Sequence, residues 1–142
     1  MTLTAIKGDR DQINKKLLAK AYETLPSLIL DCGNAADPHA IRVDEQLLHH
    51  VYVMNAEAIY RFRDALKSIP RWAAELKVKT IIITTIHILY SYDDETENFN
   101  VLENCWELMK GISNDYLVYV GIGKDKMHSV FAERFSDVLE HA

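Results

Sequence analysis

Residues 8–16, GDRDQINKK, stand where a strand–loop–helix unit would grip a phosphate. A working phosphate loop reads Gly, four residues, then Gly-Lys-Ser/Thr. Bare backbone amides wrap the phosphates, the Lys neutralises them and the hydroxyl holds magnesium. Counted from Gly8, the second glycine position is Ile13, the lysine position is Asn14 and the hydroxyl position is Lys15. An apolar run at 3–6 precedes the stretch, and Ile13, Leu17, Leu18, Ala21 and Leu25 follow at helical spacing. The frame of the unit is therefore present while its chemistry is not. Lys15 and Lys16 could meet a phosphate in a shifted register, with the helix N-terminus adding its dipole. Asp9 and Asp11 repel the same anion, so these lysines read more simply as solvent-facing helix residues.

Other residues invite chemistry and have plainer readings. Cys32 follows Asp31 where a strand would end, but there is no nucleophile elbow around it, so it reads as a small buried residue. The run Asp93, Asp94, Glu95 and Glu97 carries ligands that calcium or magnesium favours, without the spacing or the glycine of a calcium loop. Such a run suits a solvated loop entering a helix. Beside it Tyr90 and Tyr92 complete an aromatic and acidic rim suited to a protein partner. The six histidines show no metal-binding spacing, and His87, at a strand end, is the most site-like of them. No metal or cofactor is called for.

These residues need elements to position them. Five apolar runs, at 3–6, 27–31, 51–54, 80–87 and 116–120, are nearly continuous, as in strands covered on both faces. Helical patterns lie at 12–24, 44–48, 56–68, 98–112 and 127–140. In the third, Ile59, Phe62, Ala65 and Leu66 make one apolar stripe; Pro70 ends that pattern, and 71–76 reads as an extra turn. In the last, Val130, Phe131, Phe135, Val138 and Leu139 share a stripe that packs on the sheet or meets a partner. Alternating strands and helices predict a single three-layer α/β/α domain around a mainly parallel five-stranded sheet. Ligands of such sheets sit at the carboxyl ends of the strands.

At 142 residues, 49% of them hydrophobic, the chain has the size and composition of one globular domain. Its net charge of -5 opposes indiscriminate attraction to nucleic acid or anionic membrane. Two cysteines, no leader pattern and no apolar run of about 20 residues predict a cytoplasmic, non-membrane protein.

In order and spacing the chain resembles the ATPase core of RecA-like recombinases, archaeal RadA in particular. DCGNAADP resembles the family's strand-end motif, an Asp-Thr-Glu triplet with a Pro seven residues after the Asp; LHHVYVMNA resembles the strand and helix that follow it. KVKTIIITT is similar to the Walker B strand, and NDYLVYVGI to the strand leading to a DNA-binding loop. The resemblance implies a RecA-like P-loop architecture and places degenerate nucleotide-site positions at Gly8, Asn14, Lys15, Lys16, Asp31 and Thr85. Asn14 replaces the Walker A lysine, Cys32 and Gly33 replace two of the triplet, the Walker B carboxylate falls at Thr84 or Thr85, and residues 121–126 are too few for the second DNA-binding loop. No residue is assigned a catalytic role.

Two readings follow. One is a non-catalytic pseudo-ATPase in a recombination or repair setting, bound to an active RecA-like ATPase or to a second copy of itself, with Tyr90, Tyr92, Asp93, Asp94 and Glu95 as the contact surface. The other is a nucleotide-binding protein or ATPase whose site is rebuilt around Lys15, Asp31, Thr85 and His87. The missing charged groups favour the first, and the net charge and short loop disfavour direct nucleic-acid binding.

Overall fold

The computed structural model describes residues 1–32, 50–86 and 95–142. In chain order these form β1 (Leu3–Lys7), α1 (Arg10–Glu23), β2 (Ser27–Cys32), β3 (Val51–Ala56), α2 (Ile59–Leu76), β4 (Thr80–Ile83), α3 (Glu95–Ile112), β5 (Leu117–Ile122), α4 (Lys126–Phe135) and β6 (Val138–His141). The strands build one sheet in the order β3, β2, β4, β5, β1, β6, and every neighbouring pair is parallel.

Continuous apolar runs become strands here because both faces of the sheet are covered. In β2 all six residues are buried. Alternation sends Leu28, Leu30 and Cys32 into the larger core with side chains of α2, α3 and α4, while Ile29 joins the smaller core under α1. Likewise Ile81 and Ile83 of β4 face one core and Ile82 the other. The large core is anchored by Phe62, Trp106 and Phe131, all fully buried. Trp106 stacks 6.4 Å from Phe135. Rings of this size each remove roughly 150–250 Å² from water, which makes them the largest single contributions to that layer.

The layered α/β architecture and the parallel sheet agree with the sequence pattern, but the sheet has six strands rather than five. The extra strand comes from the expected last helix. That helix ends at Phe135, Ser136 is extended (φ -78°, ψ 148°), and β6 runs alongside β1. Asp137 makes the switch: its N–H donates to the Leu3 carbonyl at 2.8 Å, and its carboxylate accepts from the Leu3 N–H at 2.9 Å. Val138 and Leu139 fit a helical stripe equally well on paper, since a short apolar run carries no decisive period.

The expected break at Pro70 is also corrected, because α2 continues through it to Leu76. Pro70 is exposed while Ile59, Phe62, Leu66, Ile69 and Ala73 keep one buried stripe on both sides of it. Burial of Ile69 and Ala73 offsets the roughly 3 kcal/mol that an interior proline costs. The expected helix at 44–48 lies outside the described residues.

Lys110 Nζ reaches Asp137 Oδ1 at 2.6 Å. This bond, with the Leu3 N–H, holds the exposed Asp137 carboxyl below the usual carboxylate range. A depressed folded-state value adds stability above the ordinary pKa of about 4 and loses it as pH falls through the folded value. Asp137→Asn should therefore melt lower than the parent at neutral pH, with the difference shrinking as pH falls through the depressed folded-state value. Thermal melts of both proteins across pH check this.

Candidate functional site

Between β1 and α1 only Gly8 and Asp9 remain as a link, since α1 already begins at Arg10. Gly8 has φ +155°, a backbone that side-chain-bearing residues rarely adopt, and a Cβ there would lie 3.0 Å from Cβ of Ala142. Asp9 caps the helix in an extended conformation, and its carbonyl accepts from the Ile13 N–H at 2.9 Å. The residues that a phosphate loop would curl around an anion are thus the first turn of a helix. Their amides line up along its axis instead of converging as a concave nest.

The cations are turned away as well. Asn14 is buried, and Lys15, about 100° further round the helix, is exposed. Lys16 Nζ lies 3.0 Å from Glu140 Oε2 on β6. Lys124, after β5, pairs with Asp9 at 3.1 Å.

Inside, polar side chains at the strand ends bond to one another and to the backbone. The Asn14 side-chain oxygen accepts from the Thr85 hydroxyl at 3.1 Å and from the Thr85 N–H at 3.4 Å. Thr85 itself is fully buried. Next to it, the Thr84 hydroxyl oxygen accepts from the Cys32 N–H at 2.7 Å, and the hydroxyl faces Asp31 Oδ1 at 3.4 Å. Beyond β4 the chain stays stitched to the sheet: the Thr84 N–H donates to Leu30 and the Ile86 N–H to Gly121. Gly121 lets α1 settle this closely. A Cβ on it would stand 2.6 Å from Cγ2 of Ile13 and 3.1 Å from Oγ1 of Thr85.

Of the residues singled out from the sequence, Asn14, Asp31 and Thr85 come together at the carboxyl ends of the strands, Gly8 forms the turn beside them, and Lys15 and Lys16 do not join. Tyr90, Tyr92, Asp93 and Asp94 lie outside the described residues, as do His87 and the side chain of Glu95. Among the described residues no group of three or more His, Cys, Asp or Glu could hold a metal ion. The structural part played by Gly121 went unread, although a glycine inside an apolar strand pattern is itself a signal of close approach. Cys32, fully buried, is no surface nucleophile. Burial pushes its thiol far up, opposed by the hydrogen bond with Thr84 and reinforced by Asp31 and Cys105. Burial likewise pushes the Cys105 thiol up to about 12, with Arg63 and Lys67 opposing. Neither a protein-family model nor a curated protein matches this chain.

Gly121→Ala should destabilise the fold by about 1–3 kcal/mol through overpacking against Ile13 and Leu17, read from the midpoint of chemical denaturation. Because both thiols are buried, and burial raises both of their pKa values, native protein should resist a thiol reagent that titrates two groups per chain once the fold is opened in denaturant.

Proposed function

We propose that the chain is a non-catalytic RecA/RadA-like domain, a pseudo-ATPase that works by contact with another protein in a recombination or repair setting. One observation carries the reading. The position that the resemblance gives to the phosphate-binding lysine, Asn14, and Thr85, one of the two positions at which it places the Walker B carboxylate, are hydrogen-bonded to each other as neutral groups. Phosphoryl transfer depends on placed charge, a metal and an open cradle. Here the corresponding volume holds an amide, a hydroxyl and the side chain of Ile13. The collinear resemblance also supports the reading, because positions far apart in the chain that it groups together, Asn14, Asp31 and Thr85, lie at one end of the sheet.

Contact surface is available elsewhere. A groove of about 480 Å³ where β3 meets α2 is lined by Leu28, Tyr52, Met54, Trp72 and Leu76, and Val53 and Trp72 are 43% and 37% exposed. Exposed apolar surface beside a sheet edge is the kind that protein partners cover. The partner in this reading is an active RecA-like ATPase or a second copy of the chain.

Calorimetric titration with ATP and magnesium should give no binding tighter than roughly millimolar, a free energy weaker than about -4 kcal/mol. Micromolar binding would instead favour a rebuilt nucleotide site using Lys15, Asp31 and Thr85.

A further inference from the structure

We draw no further inference here: the strongest candidate, the apolar groove between the β3 edge and α2, carries nothing beyond the contact surface already described, because nothing among the described residues shows what covers it.

Discussion

The hydrogen bonds from Thr85 to the Asn14 side-chain oxygen fix how the first helix meets the sheet, and the interior at the strand ends is arranged around them. A lysine and a carboxylate at these two places would have to be paired and solvated, since an isolated buried charge is heavily penalised. An amide and a hydroxyl need only each other. With these groups in place α1 packs directly on β4 and β5, and Gly121 leaves room for that contact. The start of α1 only two residues after Gly8 belongs to the same packing.

Much of this was readable in the residues, and the unread parts have physical causes. Strand identity came through clearly where both faces are buried, as in SLILDC and TIII, because continuous β-branched and aliphatic runs have few other uses in a chain of this length. Asn14 and Thr85 could each be marked as departures from the resembled nucleotide site and Asp31 as a position it keeps, but the bond between Asn14 and Thr85 spans 71 positions and no local pattern encodes it. Val138 and Leu139 misled because two adjacent apolar residues suit a helix stripe and an edge strand alike. What decided between them was Asp137, whose carboxylate finds the Leu3 amide at the far end of the sequence. At Pro70 the local rule was sound and lost to tertiary packing, since the buried stripe of α2 runs straight past it.

α2 sits between two grooves of different character, one facing the β3 edge and one facing α3. The first is dominated by aromatic and aliphatic surface, the second by a narrow slot with charged walls. A fold alone does not decide what such surfaces bind.

The placement of β1 has a consequence for how the chain comes to be folded. Its partners are the last two strands: Leu3 aligns with Val118 on one side and Thr4 with Val138 on the other. In chain order β1 precedes both of its neighbours, so during synthesis it stays without them until β5 and β6 have been made. Pairing over such separations carries a large loop-closure cost and slows folding. A newly made chain therefore passes through a stage in which β1 lacks both of its sheet neighbours, and shielding it falls to whatever meets the nascent protein first.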